Sequence, residues 1–170
     1  YMRGAVWKTE AVSMNTGISV IIPTYQHGQT IVDCLESLLG QTRRPDEIIV
    51  VNNGSTDDTV SRLESYHDKI AYVDFQENQG APAARMAGFA RSTRSLLLFC
   101  DADVIAQPTM LQELQQALES HPEASFAYSS FFWGSRRFAS HAFDPVSLRT
   151  NNYINTMSLI RREHFPGFDL

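Results

Sequence analysis

The sequence predicts an α/β fold with a mostly parallel central sheet flanked by helices. Three features carry that expectation: apolar runs of strand length recur, each is followed by apolar residues at helical spacing, and polar, turn-rich segments stand between them. With 170 residues, 43% of them hydrophobic, the chain is long enough for one domain with a substantial core and short for two.

The elements follow in order. Ile18 to Ile22 is a β-branched run closed by Pro23, a strand. Ile31, Leu35, Leu38 and Leu39 then recur at helical spacing, and Gly40 follows as a natural stop. Glu47 to Val51 makes a second strand; Asp57 or Asp58 can cap a helix carrying Val60 and Leu63; Ile70 to Phe75 is a third strand. Gly80-Ala81-Pro82 opens an alanine-rich helix running to about Ser92, with Pro82 in the first turn, where its missing N–H does no harm. Ser95 to Cys100 is the fourth strand, Pro108 starts a helix with Leu111, Leu114 and Leu118 on one stripe, and Ser125 to Phe131 returns as a strand.

Composition narrows the function. Fourteen basic and nineteen acidic residues give a net charge of −5, and the basic clusters (Arg43-Arg44, Arg136-Arg137, Arg161-Arg162) are only pairs, so nucleic acid is not the main partner. No run reaches the ~18 apolar residues of a membrane span. Cys34 falls in a helical pattern and Cys100 at the end of an apolar strand, so both read as buried, reduced thiols.

Open sheets of this kind collect ligands at the carboxyl ends of their strands. Three polar segments fall there: Pro23-Thr24-Tyr25, Asn52-Asn53-Gly54-Ser55 and Asp101-Ala102-Asp103. An Asp-x-Asp triplet alone is weak, arising by chance roughly 0.6 times in a chain with this many aspartates. Its position is more telling. If extended backbone continues through Asp103, the two carboxylates face one space, where they repel unless a cation or hydrogen-bond donors intervene. A divalent ion with oxygen ligands, magnesium or manganese, meets that need. The alternative is that both aspartates cap or solvate a turn before Pro108. Position alone leaves both readings open.

The combined pattern adds a resemblance. Ile-Pro-Thr-Tyr after the first strand, Asn-Asn-Gly-Ser-Thr-Asp-Asp-Thr after the second, Asn78-Gln79-Gly80 with Arg85 downstream, and then Asp-Ala-Asp resemble the family 2 glycosyltransferases of GT-A fold, over residues 18 to about 169. The resemblance implies a GT-A sandwich that binds a nucleotide-diphosphate sugar of UDP, dTDP or GDP type. It implies transfer of the sugar, with inversion and with Mn2+ or Mg2+, to the hydroxyl of a carbohydrate or lipid-linked acceptor.

The same resemblance distributes roles. Pro23, Thr24 and Tyr25 line the base, with Tyr25 packing on it. Asn53 stands where the family commonly has an aspartate that accepts a hydrogen bond from the base; an amide accepts without the charge that strengthens the bond. Asn78, Gly80 and Arg85 lie beneath the nucleotide, Arg85 reaching a phosphate or buttressing the aspartates, and Met86 replaces the asparagine common after this arginine. Asp101 and Ala102 belong to the ribose side, and Asp103, with Asp101 beside it, to the metal. Cytoplasmic placement, peripheral to the inner face of a membrane, is the matching expectation.

Inverting transfer also needs a general base opposite the leaving group. Arg161-Arg162-Glu163 through Gly167-Phe168-Asp169 resembles the approach to the family's carboxylate, and Leu170 follows. The expectation is therefore that the catalytic base lies beyond residue 170, that residues 17–170 are one nucleotide-sugar-binding domain incomplete at its C-terminus, and that residues 1–16 are an N-terminal extension. A non-catalytic binding module is the alternative. A sugar nucleotidyltransferase fits less well, because the loop Pro-Thr-Tyr-Gln-His-Gly has a single glycine and no Lys or Arg to grip a triphosphate.

Overall fold

The computed structural model describes residues 17–167. The expected N-terminal extension and Asp169 lie outside the described residues. The elements are β1 (Ile18–Thr24), α1 (Ile31–Leu39), β2 (Glu47–Asn53), α2 (Thr59–Leu63), β3 (Ala71–Phe75), α3 (Ala81–Arg91), β4 (Leu96–Phe99), α4 (Met110–Ser120), β5 (Phe126–Ala127), β6 (Phe131–Trp133), β7 (Arg136–Phe138), α5 (Pro145–Leu148) and β8 (Leu159–Arg161). Strands β3-β2-β1-β4-β8-β5 form one sheet, and β6-β7 a separate hairpin. The ladders from β3 to β4 are parallel, whereas β8 runs antiparallel to both β4 and β5.

Helices cover both faces, which is why β1 can be apolar on both sides. Val20 and Ile22 pack with α1 and α4, among them Leu35, Leu38 and Leu111. Ile21 faces the other way and packs with Ile49, Val51, Leu97, Phe99 and Ala84 of α3. That helix approaches closely because residue 88 is glycine: a side chain there would overlap Ile21. Phe165 completes this layer, its ring 5.0 Å from Phe89 and 5.1 Å from Phe99. Cys34 and Cys100 are both buried, free thiols, as expected.

Three expectations change. The predicted strand Ser125 to Phe131 is split: only Phe126–Ala127 pairs, against β8, and the aromatic run then leaves to build the hairpin with β7. Strand β8, unanticipated, inserts between β4 and β5. On α2 the buried stripe is Thr59, Leu63 and then Tyr66, so Val60 is exposed. Asp58 occupies the cap position without a side-chain cap bond and pairs with Arg62 instead, while Asp57 accepts from the Thr59 N–H.

The amino end of the sheet is fastened by carboxylates. Glu47, directly opposite Ser19 in the β1–β2 register, accepts from the Ser19 hydroxyl at 2.5 Å and from the backbone N–H of Thr93 (2.6 Å) and Arg94 (3.1 Å). Arg161 and Arg162 serve the same end. The first donates to the carbonyls of Ala124 and Leu118, and the second to the carbonyl of Arg94, with its guanidinium over the Phe89 ring. No helix among the described residues is long and apolar enough to cross a membrane.

Burial works to raise the Glu47 pKa, but the donors from Ser19, Thr93 and Arg94 outweigh it and hold the carboxyl below its ordinary value of 4.5. A group with a depressed folded-state pKa contributes stability above its unfolded pKa and loses it as pH falls through the folded value. Glu47→Gln is therefore expected to cost about 1–3 kcal/mol at neutral pH. It should also flatten the loss of stability on acidification below the ordinary carboxylate range. Chemical denaturation across that range reads both effects, and superimposable curves would contradict the assignment.

Candidate functional site

The strand order reverses at β1, whose neighbours β2 and β4 connect to opposite halves of the sheet, and ligand crevices in open α/β sheets form at such a switch point. Four segments meet there: the loop after β1, the turn after β2, the loop entering α3 and the turn after β4.

The first two are tied together by a residue that the sequence reading passed over. Gln26 takes a left-handed backbone (φ 58), uncommon for a residue with a side chain. Its amide oxygen accepts from the N–H groups of Thr56 (2.8 Å) and Asp57 (3.1 Å), and its amide nitrogen donates to the Thr56 hydroxyl. Beside it, the Gly28 N–H donates to Asp57 and the His27 N–H to the Thr59 hydroxyl. The Thr59 hydroxyl is the largest influence holding Asp57 below the ordinary carboxylate range, with the N–H groups of Gly28 and Thr59 adding to it. Pro23 is half-buried, Tyr25 is exposed, and the buried Thr24 hydroxyl has no hydrogen-bond partner among the described residues.

The turn after β2 is locked to the entry of α3 by amides. The buried Asn53 donates through Nδ2 to Asn78 Oδ1 (3.0 Å) and accepts at Oδ1 from the Gln79 N–H (2.9 Å). Asn78 Oδ1 also accepts from the Gly80 N–H at 2.8 Å. Asn52 closes its own turn by accepting from the Ser55 N–H, and it donates across to Asp74. Gly54 (φ +75) abuts the backbone of Glu77 and Asn78, where a side chain would collide. Gly80 is needed for its backbone angle, φ 85 with ψ 158, more than for closeness to another segment.

The turn after β4 departs from the expectation. Extended backbone ends at Phe99, and the Val104 N–H donates to the Asp101 carbonyl at 3.1 Å, closing a turn over residues 101–104. Strand alternation therefore does not govern Asp101 and Asp103. The relief of charge comes from donors: Arg85 Nη2 donates to Asp101 Oδ1 at 2.8 Å, and the Thr156 hydroxyl donates to Oδ2 at 2.9 Å. Arg85 thus buttresses Asp101. Ala102 is buried in the core, and Asp103 is exposed. No group of three metal-ligating side chains occurs among the described residues. Asp103 lies outside the Arg85–Asp101–Thr156 cluster, and its exposed carboxylate is an oxygen ligand of the kind a divalent ion takes.

Thr156 was missed for a plain reason: it lies 55 residues from Asp101, just before β8, and no local pattern marks it. A cavity of about 260 Å3 lies elsewhere, between the end of α4 and β5, lined by residues such as Leu118, Phe126 and Phe143, and it includes none of the strand-end groups.

Residues 19–167 match the model of the family described as glycosyl transferase family 2. Uncharacterized glycosyltransferase YibD of Escherichia coli (strain K12) is 41% identical over 105 residues, which is 60% of this chain and 30% of that protein. Among solved structures, S. aureus TarS 1-349 in complex with UDP superposes with a TM-score of 0.63 at 26% identity, covering 71% of this chain and 37% of that one. Mannosyltransferase PcManGT from Pyrobaculum calidifontis, in complex with GDP-Man and Mn2+, gives a TM-score of 0.68 at 20% identity, covering 89% and 47%. The chain spans about a third of the length of the curated relatives it matches. The likeness to these structures agrees with the GT-A sandwich expected from the sequence.

The amide lock gives a test of its own. Asn53→Asp replaces the donor to Asn78 Oδ1 with an acceptor. Turning the Asn78 amide would instead deprive the Gly80 N–H of its acceptor. We expect a loss of about 1–3 kcal/mol in urea unfolding, and a variant as stable as the parent would show that the lock carries no weight.

Proposed function

The chain belongs to glycosyl transferase family 2, and on that premise we propose that it forms the donor-binding part of an inverting, metal-assisted glycosyltransferase. The donor is a nucleotide-diphosphate sugar, and the acceptor is the hydroxyl of a carbohydrate or lipid-linked molecule. One observation carries the reading: at the carboxyl end of β4, Asp101 is paired with Arg85 and hydrogen-bonded by Thr156 while Asp103, two residues on, is left exposed.

Each oxygen of the Asp101 carboxylate accepts one hydrogen bond from the protein and retains capacity for another, which suits the paired hydroxyls of a ribose. The Arg85 guanidinium, 20% exposed, shares its charge between Asp101 and the crevice. Asp103 would hold a divalent ion. Such an ion, when bound, offsets the negative charge that grows on the nucleoside diphosphate as the sugar leaves.

The acceptor oxygen attacks the anomeric carbon opposite the phosphate. The carbon–oxygen bond to the phosphate breaks with its electron pair on the leaving diphosphate, and the acceptor proton passes to a base. No residue between 17 and 167 is assigned as that base. The base-binding side is built from Pro23, Thr24, Tyr25 and the turn held by Asn53. Because both functional ends of the Asn53 amide are engaged by Asn78 and Gln79, Asn53 shapes the pocket wall more than it offers a free acceptor. The UDP held by S. aureus TarS, at 26% identity, favours a uridine nucleotide here.

The expected outcome in a thermal-shift panel of uridine, thymidine and guanosine diphosphates, each with and without manganese, is a rise for the uridine nucleotide that grows when metal is present. At a hundredfold excess over Kd the stabilisation is about 2.7 kcal/mol, roughly 5–10 °C for a domain of this size. Asp103→Ala should abolish the metal-dependent increment in calorimetry while leaving the melting temperature of the free protein within about 1 °C, since the side chain is exposed. Binding that is identical with and without metal would remove the metal from the mechanism. A panel with no response would remove the donor.

A further inference from the structure

The hairpin β6–β7 stands apart from this site and from the main sheet, and its chemistry is different. In a chain of net charge −5, the twenty residues from 124 to 143 contain no Asp or Glu, yet they carry Arg136 and Arg137. At the distal end of β6, Phe132 is 61% exposed and Trp133 77%. Cross-strand register places Arg137 opposite Phe132 and Arg136 opposite Trp133, with the Arg136 guanidinium over the Phe138 ring, 4.7 Å from its centre.

The base of the hairpin is closed by contacts between its two arms. Phe131 stacks on Phe138 at 4.7 Å, Ser130 and Ser140 share a hydrogen bond, and the Tyr128 hydroxyl donates to the His141 carbonyl at 2.7 Å. An isolated two-stranded hairpin is marginal in water, and exposing Phe and Trp at its end adds nothing to its stability there.

We propose that this hairpin docks the protein on an anionic bilayer surface. Trp and Phe belong at the headgroup level, where an apolar ring body and a wet polar edge are both satisfied. Each guanidinium beside them strengthens attachment to a negatively charged leaflet by about fivefold. The overall charge of −5 repels the same leaflet, so attachment is confined to the one stretch free of carboxylates. A nucleic acid fits less well: two guanidiniums make no phosphate-tracking stripe. The inference is independent of the donor site, which shares no residue with the hairpin.

The test is co-sedimentation of the full chain with vesicles of phosphatidylcholine alone or with about a third phosphatidylglycerol. Binding is expected to the anionic vesicles, to weaken with salt, and to be slight on the neutral ones. Arg136→Gln with Arg137→Gln should weaken it by about 30-fold. Phe132→Ser with Trp133→Ser should abolish it without lowering the melting temperature, because both side chains are exposed. Since the chain has two tryptophans, Trp7→Phe leaves Trp133 as the reporter, and its emission should shift to the blue on anionic vesicles.

No binding overturns the proposal, as does binding that these variants leave unchanged or that leaves Trp133 emission unmoved. Arginine-dependent binding to a single-stranded oligonucleotide or a sulfated polysaccharide without binding to vesicles would also overturn it, and would identify a polyanion site instead.

Discussion

A parallel sheet covered on both faces has no room for an uncompensated charge between its first and last hydrogen-bonded residues, and this constraint arranges the rest of the protein. In β1, β2 and β4 the interior is Val, Ile, Leu and Phe, almost wholly buried. Carboxylates appear only where the strands begin or end. At the amino edge Asp46 and Glu47 are enclosed by donors from Ile18, Ser19, Thr93 and Arg94. At the carboxyl edge Asp101 receives Arg85 and Thr156. The two edges solve one electrostatic problem with opposite purposes. The amino edge is closed by its own donors, whereas the carboxyl edge leaves Asp103 exposed.

The loops at the carboxyl edge are joined by side-chain amides. Gln26 joins the loop after β1 to the turn after β2, and Asn53 with Asn78 joins that turn to the entry of α3. An amide carries a donor and an acceptor at a fixed spacing and no charge, so it can satisfy two backbone segments without the desolvation cost of a carboxylate. Asparagine at residue 53 is thus not a weakened version of an acidic residue. It is a donor matched to Asn78 Oδ1. The base-recognition role that resemblance assigns to this position becomes a question of pocket shape.

The region from β5 to β8 is organised differently. Phe131 and Phe138 stack on each other and Phe126 meets Phe143 edge-on, while Phe132, Trp133 and Phe143 are exposed. The same stretch carries Asn155, which donates to the Ser129 carbonyl, and Thr156, which donates to Asp101. One connection therefore links the aromatic hairpin to the residue that donates to Asp101.

The sequence by itself determined the alternation of strands and helices, the buried thiols of Cys34 and Cys100, and the gathering of polar segments at the strand ends. Each of these is written in local periodicity within a window of a dozen residues. It did not determine that β8 enters the sheet antiparallel between β4 and β5, that the run after Ser125 divides into a short strand and a hairpin, or that a turn begins at Asp101. Nor did it pair Asp101 with Thr156 or Gln26 with Thr56. The β8 pairing joins residues 61 to 65 positions apart, and the two side-chain pairs join residues 30 and 55 apart, distances that no local pattern encodes. A polar side chain chooses its partner only after the chain path has brought candidates within hydrogen-bonding distance. The tertiary structure alone sets that path.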